Sequence, residues 1–290
     1  MGVPSWIPRF TPPVGRLSSD EVKKRLQERY GISSVGASDI SGQLYCEKKV
    51  ELTLLHPDVR KATPELLAGQ QGHEELAAGA IPISPEELRQ KLESGEKLLV
   101  RESLLIGDYQ GIPITGKPDL VDYDGLKARL LVEYKFTSKR EPYPDHLLQL
   151  AVYGLLLHLS RRDTTSLVGV LAFLPSEMKA RVRGDSGIDE DREKQMMELC
   201  RKLRTSVLRK KEPASVSSEQ FACFAYPFDL AKTRRLLREP AEFWLGVRQA
   251  APTMHRKKCQ VCEYNAAGLC DSALAKPSPE FLGRVNLSSK

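Results

Sequence analysis

Two short runs of this sequence fix what the middle of the chain can become. Gly116-Lys117-Pro118-Asp119 ends on an aspartate, and after thirteen intervening residues comes Glu133-Tyr134-Lys135. Apolar residues dominate the stretches Ile112 to Val121 and Leu130 to Phe136. Asp122 to Gly125 supplies turn residues between them, so the pattern predicts two strands joined as a hairpin. Glu133 and Lys135 are two apart and project from one face of a strand, where Asp119 can meet them. Two carboxylates and an ammonium on one sheet face suit a divalent cation and a water directed at a phosphate. A hairpin carrying ordinary surface charges has the same letters, so other segments have to decide.

Two segments bear on it. Gly69-Gln70-Gln71-Gly72-His73-Glu74-Glu75 lies upstream and opens a predicted helix; a neutral imidazole such as His73 can join a metal site, although a single histidine is more often structural. Asp145 to Leu159 has the length and apolar content of a helix, with Gln149 and Tyr153 at i and i+4 on one face. An amide and a phenol so placed can contact phosphate oxygens or steady the lysine; polar residues at the edge of a packed helix look the same.

Taken in order, His73, Asp119, Glu133-x-Lys135 and Gln149-x3-Tyr153 resemble the RecB-like branch of the PD-(D/E)xK nucleases, and Pro118-Asp119 fits that motif literally. The resemblance implies an α/β fold of restriction-endonuclease type, a mixed central sheet flanked by helices. It also implies Mg²⁺ or Mn²⁺ held by His73, Asp119, Glu133 and the Tyr134 backbone carbonyl. Lys135 would then position or polarise the attacking water, with Gln149 and Tyr153 supporting the scissile strand.

Six cysteines occur, and the last three, Cys259, Cys262 and Cys270, form C-x2-C-x7-C behind the basic run Arg256-Lys257-Lys258. Close thiols of this kind generally hold a metal or cluster where thiols stay reduced. A fourth ligand is required, and Cys46 is the candidate. One upstream and three downstream cysteines resemble the iron–sulfur sub-branch of these nucleases, which includes exonuclease V and the CRISPR-associated RecB-like exonucleases. That resemblance implies a [4Fe–4S] cluster clasping the two ends of the domain around a helical region. The gap before Cys270 is longer than that family's usual one, and spacing by itself also admits a zinc site with four thiolates. Cys200 and Cys223 have no such company and read as small buried residues.

The 290 residues, 41% hydrophobic and 28% charged, describe an ordinary globular chain with a net charge of +6. Its basic residues cluster at Lys139-Arg140, Arg161-Arg162, Arg201 to Lys211, Arg234 to Arg238 and Arg256 to Lys258, as a phosphate backbone requires. Tyr143, Phe243 and Trp244 are aromatics near basic residues that can stack unpaired bases, unless they are core. No run reaches the roughly 18 apolar residues that span a membrane. A signal-peptide core and a G-x4-G-K-[ST] phosphate loop are also missing, so a cytoplasmic protein that does not use ATP is expected.

The predicted organisation is an extended arm (1–18), one nuclease domain (19–271) and a polar tail (272–290). Within the domain, helices are expected at Ser19 to Tyr30, Ala37 to Leu55 and about Pro85 to Glu96. Strands follow at Leu98 to Tyr109, Ile112 to Tyr123 and Ala128 to Phe136, then the Gln149 helix and a strand from Ser166 to Leu174. A loop over 176–188, a basic helix from Asp189 to Lys211 and a helix from Asp229 to Gln249, interrupted near Pro240, complete it. The segment Glu242 to Arg248 and the stretch Ser38 to Cys46 resemble exonuclease V. The expected function is therefore a metal-dependent exonuclease on single-stranded DNA or DNA ends, in repair, recombination or end processing, with a single-strand-binding protein as a candidate partner. A CRISPR adaptation nuclease trimming DNA ends with its partner proteins is the alternative, and a non-catalytic DNA-end-binding subunit the second.

Overall fold

The computed structural model describes residues 17–59, 83–137, 139–174, 190–219 and 221–282. His73, the arm over 1–16 and the loop over 176–188 lie outside these residues.

Helix α1 (Ser19–Tyr30) is capped by Ser18: its hydroxyl accepts the Glu21 N–H while Glu21 accepts the Ser18 N–H at 2.7 Å. Gly31, at φ 70°, ends the helix in the left-handed conformation glycine tolerates. Strand β1 (Val35–Gly36) leads into α2 (Ala37–Leu55), and α3 (Pro85–Glu93) is capped by the Ser84 side chain.

The first two expected long strands each break in two. Lys97–Arg101 (β2) and Leu105–Tyr109 (β3) replace the first, Ile112–Gly116 (β4) and Leu120–Asp124 (β5) the second. Arg101 pairs with Leu120 and Leu105 with Gly116, so matched three-residue bends, 102–104 and 117–119, turn the corner side by side. The Glu102 N–H donates to the Asp119 carbonyl at 3.3 Å and ties the bends together. Two sheets result, in the orders β1-β4-β3 and β2-β5-β6-β7-β9-β8. The second includes β6 (Lys127–Phe136), β7 (Val168–Leu174), β8 (Ala214–Ser217) and β9 (Ala222–Pro227). The β8–β9 hairpin was not expected from the sequence.

Between β6 and β7 runs α4 (Pro144–Leu159), with Pro144 at its first turn; as the crossover of a parallel β6–β7 pair it is nearly all apolar and largely buried. Alternation along β6 divides two cores. Leu131 faces α4 with Leu171 and Phe173, whereas Leu130, Val132 and Tyr134 face α5 (Glu190–Lys210) with Val170 and Ala172. Glu133 and Lys135, odd-numbered like Leu131, therefore fall on the α4 side.

After β9 the expected long helix is two short ones, α6 (Leu230–Leu236) and α7 (Arg238–Trp244), dividing at Leu237 just ahead of Pro240. Residues 272–282, expected as a polar tail, instead pack on the domain. Asn265 donates to the Ala275 carbonyl at 2.8 Å, Ser278 N–H to the Gln260 carbonyl at 3.0 Å, and Phe281 is buried. Among the described residues no helix is long and apolar enough to cross a membrane.

Candidate functional site

Asp119 sits at the corner where the β4–β5 strand leaves one sheet for the other. The β5–β6 register ends at Val132, whose partner Leu120 is the first residue of β5, and β6 runs on beyond it. The Tyr134 N–H there donates to Asp119 Oδ2 at 2.6 Å, the side chain continuing a ladder that the bend interrupts. The N–H and C=O of a strand residue point to the same side, so the Tyr134 carbonyl also faces this edge.

Glu133 and Lys135 emerge from the α4 face of β6, as alternation requires. Lys135 Nζ lies 2.9 Å from Glu133 Oε1 and 2.8 Å from Gln149 Oε1, and Gln149 Nε2 donates to the Tyr153 hydroxyl at 3.1 Å. Gln149 and Tyr153 share one face of α4 at i and i+4. Burial, then the charge of Glu133, drives the Tyr153 pKa far above the ordinary phenol range, so the hydroxyl that accepts from Gln149 stays protonated. The sequence-derived group Asp119, Glu133, Lys135, Gln149 and Tyr153 is thus brought together; His73 lies outside the described residues.

The charge balance of this cluster is informative. Asp119 is 6% exposed and Glu133 3%, yet Lys135 is the ammonium that meets Glu133. Buried carboxylates of this kind are suited to binding a divalent cation. Two buried carboxylate groups and a backbone carbonyl edge form an oxygen-rich donor set that fits Mg²⁺ or Mn²⁺. Among the described residues, no group of three or more His, Cys, Asp or Glu side chains converges as a metal site.

Sequence reasoning missed Gly116. A Cβ at this position would stand 2.7 Å from Tyr153 Cε1 and 3.1 Å from the Ala37 Cβ, so the bare backbone is what lets the ring lie across β4. Gly116→Ala is expected to push Tyr153 off Gln149, costing about 1–3 kcal/mol of stability by overpacking and lowering turnover. A structure of the variant with its melting curve checks this; an unmoved ring would refute it.

Cys46, Cys259, Cys262 and Cys270 line one cavity together with Tyr45 and Lys258. No disulfide joins them. Burial raises the Cys262 and Cys270 thiols, and the charges of Cys46 and Cys259 add to the effect at Cys270. The cavity exists because α2 breaks at Cys46, whose backbone is extended (φ −172°, ψ 113°). Groups released by the break are taken up by the C-terminal segment: Lys48 N–H donates to the Ala251 carbonyl at 3.2 Å, and Lys258 Nζ to the Tyr45 carbonyl at 3.0 Å. Farther along, Glu47 accepts both terminal nitrogens of Arg248 and the Ala251 N–H, and the Trp244 indole donates to Gln43 Oε1 at 2.7 Å.

Several basic residues proposed for nucleic acid instead hold the fold. Arg140 donates to the Ser218 and Glu219 carbonyls at 2.7 Å each, Arg204 to the Arg129 and Ser166 carbonyls, and Arg201 meets Asp122. Cys200 and Cys223 are fully buried, as expected, and also touch: the Cys223 sulfur, then burial, holds the Cys200 thiol well above its ordinary range.

The profile of the PD-(D/E)XK nuclease superfamily matches residues 38–270, from the start of α2 to the last cysteine of the cavity. The chain belongs to the PD-(D/E)XK nuclease superfamily. Its mixed sheet flanked by helices fits that superfamily's core. Membership makes a nuclease that engages nucleic acid the indicated activity, and enzymes of the superfamily typically use Mg²⁺ or Mn²⁺. Among solved structures, the crystal structure of SSO0001 is 16% identical, covers 87% of this chain and 95% of that chain, and has a TM-score of 0.44. No curated protein matches the chain.

Proposed function

We propose that this PD-(D/E)XK protein is a divalent-metal-dependent exonuclease that hydrolyses single-stranded DNA from its ends. The observation that carries the reading is the buried pair Asp119 and Glu133 beside Lys135 at the corner between the two sheets. Asp119, Glu133 and the Tyr134 carbonyl, with His73, are the ligands we assign to the metal, which supplies charge neutralisation at the phosphoryl oxygens and a more acidic water. Lys135, between Glu133 and Gln149, would supply an ammonium to direct the water or stabilise the pentavalent phosphorus. Gln149 accepts from Lys135, and the Tyr153 hydroxyl accepts from the Gln149 amide and steadies it.

Linear and circular single-stranded DNA of one sequence, compared with the linear duplex, test the specificity. Loss of the linear strand alone is expected. Efficient cutting of circles would replace the exonuclease with an endonuclease.

We assign the four cavity thiols to a [4Fe–4S] cluster. What supports the reading is that Cys46 and the three distant cysteines line one cavity. Iron and acid-labile sulfide in the anaerobically purified protein, both lost in Cys259→Ser, are the expected result. Stoichiometric zinc without iron would overturn the assignment.

A further inference from the structure

Three aromatic residues near basic clusters were candidates for stacking on bases, and the structure separates them. Phe243 and Trp244 are 0% and 1% exposed and pack on each other with ring centroids 4.8 Å apart, so they belong to the core. Tyr143 is 40% exposed and is the one aromatic among the exposed large apolar side chains of the described residues.

Its place in the fold is informative. Tyr143 precedes α4, and His146, Gln149 and Tyr153 follow at i, i+3 and i+7 along one face of that helix, the face that meets Lys135. The Tyr143 ring meets His146 edge-on, with centroids 5.5 Å apart and planes at 71°. His146 in turn lies 5.8 Å from Phe173, and Phe173 lies 5.7 Å from Phe224. Phe173 is the register partner of Lys135, so a row of rings runs from the core, past the lysine, to the surface.

The row is also held still. The Tyr143 N–H donates to His146 Nδ1 at 3.3 Å, which places the imidazole proton on Nε2. Burial, reinforced by the charge of Lys135, favours the neutral ring. Upstream, the two hydrogen bonds from Arg140 fasten the approach to Tyr143 onto the β8–β9 turn. One helical turn on, Leu147, 36% exposed, extends the apolar surface.

We propose that Tyr143 is a stacking platform for an unpaired nucleobase flanking the phosphodiester at the Asp119–Glu133–Lys135 site, with His146 and Phe173 as its rigid backing. The inference rests on the nuclease reading of that site and deepens it. Stacking on an aromatic ring is tolerant of sequence because every base has a π-face. A base inside a duplex has both faces covered by its neighbours, so such a platform selects single strands and frayed ends.

The test measures binding of a fluorescent oligothymidylate in EDTA, where cleavage cannot confuse the result. Tyr143→Ala is expected to weaken binding about 5- to 150-fold, while Tyr143→Phe and Tyr143→Trp stay near wild type. An oligonucleotide with a single abasic site, moved stepwise along the strand, should remove the Ala-versus-wild-type difference at one position. Equal binding by wild type and Tyr143→Ala, including no binding by either, would overturn the platform. So would a deficit that no abasic position abolishes. If wild type cuts with Mg²⁺ or Mn²⁺ while Tyr143→Ala binds normally, the platform fails and the nuclease stands. If wild type never cuts but the stacking deficit and its abasic signature persist, the platform stands and the nuclease reading fails.

Discussion

Asp119→Asn is expected to reduce phosphodiester cleavage by at least about 10²–10³-fold, the scale on which loss of one preorganised electrostatic group acts. The substitution keeps the shape of the side chain and a carbonyl oxygen that can still accept the Tyr134 N–H now bonded to Oδ2. Fold and DNA binding should therefore survive, and the loss should appear in turnover with little change in KM. Asp119→Ala is a less clean probe. It would also leave the Tyr134 N–H, in a strand whose side chains here are buried, without its acceptor, at a cost of about 1–3 kcal/mol. Steady-state kinetics on end-labelled DNA, with melting curves of both variants, separate the two effects. Full activity in Asp119→Asn would remove Asp119 from the metal site.

The second large effect concerns stability. Arg248→Ala is expected to cost about 3 kcal/mol, the lower part of the range for breaking a buried ion pair. The lower part applies because the Arg248 side chain is 25% exposed, whereas that of Glu47 is only 10% exposed. Without the guanidinium, Glu47 keeps only the Ala251 N–H and the Gln43 amide as donors in a buried setting. The melting temperature should fall by about 6–12 °C. Glu47→Gln, which retains shape but not charge, should lie between. Because Arg248 ties α2 to the segment bearing Cys259, iron content should fall along with stability if the proposed cluster is present. An unchanged melting temperature in Arg248→Ala would show that the remaining contacts, Trp244 to Gln43 and Lys258 to Tyr45, close the clasp by themselves.

Much of the site was legible because its signals are local and periodic. A period of two places Glu133 and Lys135 on one face, and an i, i+4 spacing places Gln149 and Tyr153 together; both periodicities hold in the fold. The meeting of Cys46 with three cysteines more than two hundred residues away is not a local signal, and only family resemblance pointed to it. The corners at 102–104 and 117–119 were overlooked for a different reason. Glu102-Ser103 and Lys117-Pro118-Asp119 do interrupt the apolar pattern, and Pro118 lacks a strand N–H, whereas the positive φ of Glu102 (48°) has no sequence signal. The β8–β9 hairpin was missed because Ala214–Ser217 is short and weakly apolar, its pairing decided by the neighbouring edge of β7 rather than by its own pattern. Arginine counts reveal charge, but not that Arg140 and Arg204 donate to backbone carbonyls.

The central claim is that this chain cuts phosphodiester bonds with a metal bound at Asp119 and Glu133. Incubation of the full chain with 5′-labelled single-stranded DNA in Mg²⁺, Mn²⁺ or EDTA tests it most directly. Degradation from the ends with either metal and none in EDTA is the predicted result. Binding without cleavage under any metal would contradict it and make the chain a DNA-end-binding protein with a nuclease fold.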